Sequence, residues 1–312
     1  MTGSPRELVV LGSAARAPTR DRNHNVYFLR WGERAVLFDP GEATQRQMLL
    51  AGVRAADVTR ICITHFHGDH CLGLPGVLQR LVLDRVQHAL TVHYPASGQP
   101  YFERLRYASI CDDEPVLVAR PVEHDGPQDD DGLLRVVARR LDHPVDTFGY
   151  RFEERAGRTM LPERLDALGV GGPQVAELLA AGEIRVGGRA VRLDEVSVER
   201  PGQVVAFVMD TRPCDAALEL ARGADLLVCE STFLAAEEGL ARASGHMTAR
   251  DAATLAAEAG VRRLVLTHFS SRHPDEARYL EDALPIHTDT VVARDGLRVP
   301  VPRRRGRVVD AT

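Results

Sequence analysis

Seven consecutive residues, Thr64-His65-Phe66-His67-Gly68-Asp69-His70, constrain this chain more than any other feature. They follow an apolar β-type run, Arg60-Ile61-Cys62-Ile63. His65 and His67 alternate about Phe66, so at the end of a strand both can point the same way. Gly68 permits a sharp turn, which carries Asp69 and His70 round to a second point in space. Imidazole nitrogen and carboxylate oxygen are donors that Zn²⁺ accepts. The stretch therefore reads as one half of a two-metal site. A chance surface cluster is the bland alternative, and this density of ligand types speaks against it.

The remaining ligands must come from elsewhere in the chain. Apolar strand-like runs are expected at Glu7–Gly12, Val26–Leu29, Ala35–Asp39, Leu90–His93 and Leu133–Arg140, with Asp146–Phe152 as a hairpin partner. Further runs cover Val204–Thr211, Asp225–Thr232 and Leu264–Phe269. Helical periodicity appears from Gly41 to about Leu50, from Leu74 to about Val86, and after Gly245-His246-Met247-Thr248. Strands alternating with helices imply a layered α/β protein. Several of these strands end in a ligand type: His143, Asp210, Glu230 and His268. An α/β fold gathers distant residues at one edge in this way. His143 alone would read as a structural histidine, but a metal site that still needs ligands makes it a candidate.

Residues 155–200 differ from their surroundings. Two short amphipathic pieces, Pro162–Leu168 and Pro173–Ala181, flank Gly169-Val170-Gly171-Gly172. The segment reads as a protruding arm between two core strands, too short for a core of its own. It carries six arginines from Arg155 to Arg192 against Glu163, Asp166, Glu177 and Glu183.

Composition narrows the class. The chain of 312 residues is 44% hydrophobic and 27% charged, as in a globular protein with one large core or two modest ones. No apolar run approaches the ~20 residues of a membrane span, and the first residues lack a secretory signal's apolar core. A cytoplasmic protein is expected. The five cysteines are scattered and odd in number, so reduced core thiols are expected at Cys62, Cys71, Cys111, Cys214 and Cys229. The net charge of −5 does not by itself advertise a nucleic-acid binder. There is no lysine, so all 39 basic residues are arginines, whose forks suit phosphate. Compositional bias is the simpler source of that count.

The pattern His65-x-His67-x-Asp69-His70 resembles the signature of the metallo-β-lactamase fold superfamily. Within it, the chain most resembles the ribonuclease Z family of tRNA 3′-processing endonucleases. The resemblance runs from about Glu7 to Pro300. It rests on Leu37–Gln47, Cys229-Glu230-Ser231-Thr232, Gly245–Thr248, Leu266–Ser270 and Gly172-Pro173. Ala43 stands where the family usually has glycine, and Met247 where it usually has serine. Cys229, Ser231 and His273 also depart from the family pattern. None of these changes removes a ligand.

The resemblance implies an αββα sandwich of two mixed sheets with the arm inserted, all within one domain. It implies two Zn²⁺ per chain. His65, His67 and His143 would hold one, Asp69, His70 and His268 the other, and Asp210 would bridge them. It assigns Asp69 to the attacking water's proton, and His246 oriented by Glu230 to the leaving oxygen. A buried pair that merely orders the core edge is the alternative for Glu230 and His246. Arg20, Arg22 and Asn23 would read the acceptor end of tRNA, and Gly172-Pro173 would belong to a substrate-grasping arm. The implied reaction cuts precursor tRNA just 3′ of the discriminator, leaving a 3′-hydroxyl on the tRNA and a 5′-phosphate on the trailer. A homodimer is implied as well. The rivals are a small-molecule phosphodiesterase or lactonase on the same fold, and a non-catalytic RNA-binding module.

Overall fold

A computed structural model describes residues 6–110 and 115–304, so Cys111 lies outside the described residues. Two compact units emerge. The larger takes in the chain to Asp131, then Arg135–Glu153 and Val204–Pro302; the smaller is built on Glu154–Gln203 with Gly132–Leu134.

The larger unit holds two seven-stranded mixed sheets. The first contains β1 (Arg6–Gly12), β2 (Val26–Trp31), β3 (Arg34–Phe38), β4 (Val58–Cys62), β5 (Leu90–Pro95) and β6 (Leu117–Val122). The second contains β7 (Gly126–Asp130), β8 (Leu134–Arg140) and β9 (Phe148–Glu154). The smaller unit adds β10 (Gly157–Met160), β11 (Glu183–Val186), β12 (Arg189–Arg192) and β13 (Ser197–Arg200). The chain then returns to the second sheet as β14 (Val204–Val208), β15 (Leu226–Glu230), β16 (Leu264–Thr267) and β17 (Thr290–Val292). It ends on the first sheet as β18 (Arg298–Pro300). Strand orders are β18-β1-β2-β3-β4-β5-β6 and β17-β16-β15-β14-β9-β8-β7.

Aromatic rings fill the space between the sheets. Phe38 of the first sheet stacks on Phe207 of the second at 4.4 Å and meets Phe152 edge-on at 5.4 Å. Tyr27 meets Phe207 at 5.2 Å. Burying each such side chain contributes roughly 1.5–3 kcal/mol. The outer face of the first sheet is covered by the helix Leu74–Leu83. Its buried residues Leu74, Val77, Leu78 and Leu81 follow the i, i+3, i+4, i+7 stripe of an amphipathic helix. Helices Asp215–Ala221 and Ala249–Glu258 pack on the second sheet. The αββα expectation therefore holds.

The helix after β3 starts at Thr44, three residues later than the sequence suggests. Gly41 is needed for backbone approach: a Cβ there would stand 2.3 Å from the Asp69 carbonyl oxygen. Ala43 occupies the left-handed region at φ 62°, where an L side chain costs roughly 1–2 kcal/mol. Ala43→Gly should therefore stabilise the fold by about 1 kcal/mol despite glycine's freer unfolded chain. Thermal melts of the two proteins under matched metal loading check this, and an unchanged or lower Tm refutes it.

The smaller unit corrects one expectation. The arm does have a core: Val170, Leu178, Ile184, Val191 and Val196 are buried together, flanked by Met160, Leu165 and Leu168. Two antiparallel pairs, β10–β13 and β11–β12, frame it. The Glu154 carboxylate accepts two bonds from the Arg200 guanidinium at 3.1 Å each and one from the Gln203 amide at 3.0 Å. That clamp ties the start of the arm to its end.

Candidate metal centre

Every candidate ligand stands at or just past a strand end, where the backbone turns sharply. His65 and His67 follow β4, with Asp69 and His70 on the short helix Gly68–Cys71. Asp210 lies just beyond β14, and His268 directly follows β16. Asp210 and His268 sit at positive φ, 47° and 60°. Non-glycine residues rarely adopt that conformation, and it recurs at functional sites.

These turns bring the seven side chains together. His65, His67, His143 and Asp210 form one cluster and Asp69, His70 and His268 another, with donor atoms in each within 4.8 Å of one another. The Asp210 carboxylate lies between them. It is 3.6 Å from His65 Nε2, 3.9 Å from His143 Nε2, 3.5 Å from His70 Nε2 and 3.3 Å from His268 Nε2. His70 Nε2, His143 Nε2, His268 Nε2 and Asp210 Oδ1 are buried with no hydrogen-bond partner. Orphaned polar atoms of this kind are costly unless something binds them. Four of them converging on one point fit a divalent metal centre.

Four of the five candidate histidines have their Nδ1 engaged behind the cluster. His143 Nδ1 donates to the Gly245 carbonyl at 2.9 Å. The Thr64 hydroxyl donates to Asp39 at 2.8 Å and so accepts from His65 Nδ1 at 3.0 Å. Asp39 also accepts from His70 Nδ1 at 2.8 Å. The Thr232 hydroxyl donates to Glu230 at 2.6 Å and accepts from His268 Nδ1 at 2.8 Å. In each of these four rings Nε2 is turned toward the cluster, and such backing raises ligand basicity.

Electrostatics agree. Burial pushes His65, His67 and His143 below the ordinary imidazole value, so they present neutral lone pairs. Burial would lower His70 too, but the Asp210, Asp69 and Asp39 carboxylates outweigh it and push it well up. The pocket thus asks for positive charge at that point. Burial opposes ionisation of Asp69 and Asp210, yet the surrounding imidazoles hold both far below the usual carboxylate range.

Glu230 and His246 meet beside the cluster, with His246 Nδ1 donating to Glu230 Oε1 at 3.0 Å. Glu230 also accepts from the Thr211 amide at 2.7 Å, next to Asp210. Burial would lower His246, but Glu230 overrides it and holds the imidazole at about 9. Asp210, His246 and His268 are close enough to make a third candidate cluster. A cationic ring repels a metal ion, so His246 suits proton delivery better than ligation. The cluster opens into a cleft of about 700 Å³ lined by Arg16, His24, Phe233, His246 and Arg272 among others.

Comparison with known proteins agrees with this geometry. The metallo-beta-lactamase superfamily model matches residues 19–268. The chain is 57% identical over 303 residues to a ribonuclease Z of Salinispora arenicola, covering 97% of this chain and 98% of that protein. It is 56% identical to a ribonuclease Z of Streptomyces coelicolor, covering 97% and 100%. The chain belongs to the ribonuclease Z family. Among solved structures, human tRNase Z, short form, superimposes with a TM-score of 0.69 at 25% identity, covering 95% of this chain and 99% of that one.

The other family-implied residues separate. Arg20 is exposed at the tip of its loop. Arg22 is not: its buried guanidinium donates to the carbonyls of His273 and Pro274 at 3.1 Å and pairs with Glu276. Asn23 is also committed, donating from Nδ2 to the Glu42 carbonyl at 2.9 Å. Both side chains therefore bond within the protein, and of the three only Arg20 is exposed. In the smaller unit, Gly172 (φ 53°) and Pro173 open the exposed helix Pro173–Ala181. Cys71 is a core thiol pushed up to about 12 by burial, donating to the His67 carbonyl. Cys62 and Cys229 are buried and free as expected, and Cys214 is half-buried. Asp39 is the residue that sequence reading missed. It backs both metal clusters, and its only mark in the sequence is an acid at a strand end before Pro40-Gly41.

Proposed function

We propose that this chain is a zinc-dependent endoribonuclease that removes the 3′ trailer from precursor tRNA, with two zinc ions held by the seven ligands named above. The convergence of four orphaned donor atoms on the gap between two ligand clusters carries the reading. Bound there, a divalent pair would make water a nucleophile near neutral pH and counter the charge that builds on the phosphoryl oxygens.

The chain's own residues do the rest. His65, His67 and His143 would hold one ion, Asp69, His70 and His268 the other, and Asp210 would serve both. The Arg16 amide donates to Asp69 Oδ2 at 2.7 Å and fixes that carboxylate's orientation. Asp69 accepts the attacking water's proton. His246 gives its Nε2 proton to the leaving 3′ oxygen of the tRNA while Glu230 keeps the ring oriented. The tRNA keeps a 3′-hydroxyl and the trailer leaves with a 5′-phosphate. Arg20 meets the acceptor end. The arm, with Gly172-Pro173 at a helix start, grips the body of the tRNA. Exposed Leu49, Leu50 and Leu83 favour a homodimer. No helix among the described residues is long and apolar enough to cross a membrane, in keeping with a cytoplasmic enzyme.

Incubation with precursor tRNA and mapping of both product ends tests the reading; failure to cut, or cutting away from the discriminator, ends it. An armless variant sharpens it. Residues 155–200 contain none of the seven ligands and have their own small core, so a short Gly/Ser loop in their place should leave metal content intact. Cleavage of precursor tRNA should fall by at least ~100-fold, because remote contacts position the substrate. Hydrolysis of a nitrophenyl phosphodiester should change only a few-fold. Undiminished tRNA cleavage by the armless protein would refute the arm's part in gripping the tRNA.

A further inference from the structure

Tyrosines are scarce in this chain, and their placement is uneven. Of six, Tyr27, Tyr94, Tyr150 and Tyr279 are fully buried. The two exposed ones, Tyr101 (53%) and Tyr107 (60%), belong to one short element, the helix Gln99–Arg106 and its cap. Phe102 anchors that helix by stacking on Tyr94 at 4.3 Å. Tyr101, Arg104 and Tyr107, spaced at i, i+3 and i+6, are all exposed along it. Guanidinium groups lie over both rings, Arg104 at 5.6 Å from Tyr101 and Arg106 at 5.0 Å from Tyr107. The helix's single acid, Glu103, accepts a bond from Gln99 at 2.8 Å.

This stripe is continuous with the metal centre. Tyr101 stacks on Phe66 at 5.9 Å and 29° between planes, and Phe66 stands between the ligands His65 and His67. His67 is the exposed member of its cluster. A Cβ on Gly98 would stand 2.0 Å from the Phe66 ring, so glycine there lets the helix start close against it. Exposed aromatic side chains interleaved with arginines suit a single-stranded nucleic acid: bases stack against the rings and the guanidinium planes beside them, and phosphates meet the guanidinium groups. They do not suit a duplex, whose bases are already stacked.

We propose that Tyr101, Arg104 and Tyr107 form a stacking track for the single-stranded 3′ trailer of the precursor. The inference rests on the tRNA-cleaving reading above and adds a substrate contact beyond the scissile bond. It predicts that the enzyme distinguishes long trailers from short ones, since a one-nucleotide trailer has no second base to run along the helix from Tyr101 to Tyr107.

The test compares kcat/KM on one precursor tRNA carrying a one- or a ten-nucleotide trailer, in the wild type, in Tyr101→Ala/Tyr107→Ala and in Tyr101→Phe/Tyr107→Phe. Both positions are exposed, and a thermal melt confirms folding. The alanine pair should lose about 10- to 100-fold on the long trailer, the loss of one or two stacked bases, and no more than about twofold on the short one. The phenylalanine pair keeps the π faces and should restore the long-trailer rate to within a few-fold of wild type. Binding of a ten-nucleotide single-stranded RNA, followed by fluorescence anisotropy, should weaken in parallel. Equal losses on both trailers, no loss on either, or a shift in oligomeric state that accounts for the effect would each overturn the track. A wild-type protein that cuts neither precursor would instead overturn the tRNA-cleaving reading beneath it.

Discussion

Asp210→Ala should leave a protein that holds neither metal ion and has lost at least ~10³-fold of its activity, since several kcal/mol of transition-state stabilisation depend on the ions. The carboxylate lies within 3.3–3.9 Å of four imidazole nitrogens drawn from both clusters. Without it, His65 Nε2 and His143 Nε2 pair with no other carboxylate among the described residues, His70 Nε2 and His268 Nε2 keep only Asp69, and His70 Nδ1 keeps its bond to Asp39. Elemental analysis after exhaustive dialysis, paired with turnover, makes the measurement. Near-normal activity with one metal per chain would sink the dinuclear assignment. Asp210→Asn is the useful companion, because asparagine tolerates the left-handed backbone and removes only the charge.

His246→Ala should do something different: metal content stays, and the chemical step on precursor tRNA slows by ~10²–10⁴-fold, the usual worth of a general acid. With a nitrophenyl leaving group, which needs no proton, the loss should shrink. The pH profile supplies a second readout. Glu230 holds the ring at about 9, so the acid form is present below that value and is lost as pH rises through it. Divalent cations beside the ring move the limb to lower pH. The wild-type rate should therefore fall with rising pH on a limb at or below about 9, and His246→Ala should lack it. Equal losses on both substrates, with the limb unchanged, would make the pair structural.

The candidate centre was legible in the sequence where its candidate ligands are contiguous. Four of seven lie within six residues, and a strand-turn pattern suffices to aim them. His143, Asp210 and His268 were legible as strand ends carrying a donor. Asp39, Thr64 and Thr232 were not: each forms its bonds through the fold and lacks a spacing of its own. The place of Arg22 was not legible for the same reason. Its charge reads as solvent-facing, but backbone carbonyls some 250 positions away capture it. The edge strands escaped notice as well. Gly-Pro-Gln-Asp-Asp at β7 has no apolar alternation, and the ladder to β8 makes it a strand. The arm's core was missed because its five buried residues are spread thinly over Val170–Val196.

The left-handed backbone at Asp39, Asp210 and His268 has a consequence for how such a centre arises. At φ between 44° and 60°, the residues tolerated best are glycine, asparagine, aspartate and histidine. Three of those four carry an oxygen or nitrogen that can bind a metal or back a residue that does. A sheet edge that bends its strands this way draws on a narrow alphabet already rich in donors. Random substitution there finds ligands far more often than it would on an ordinary strand or helix.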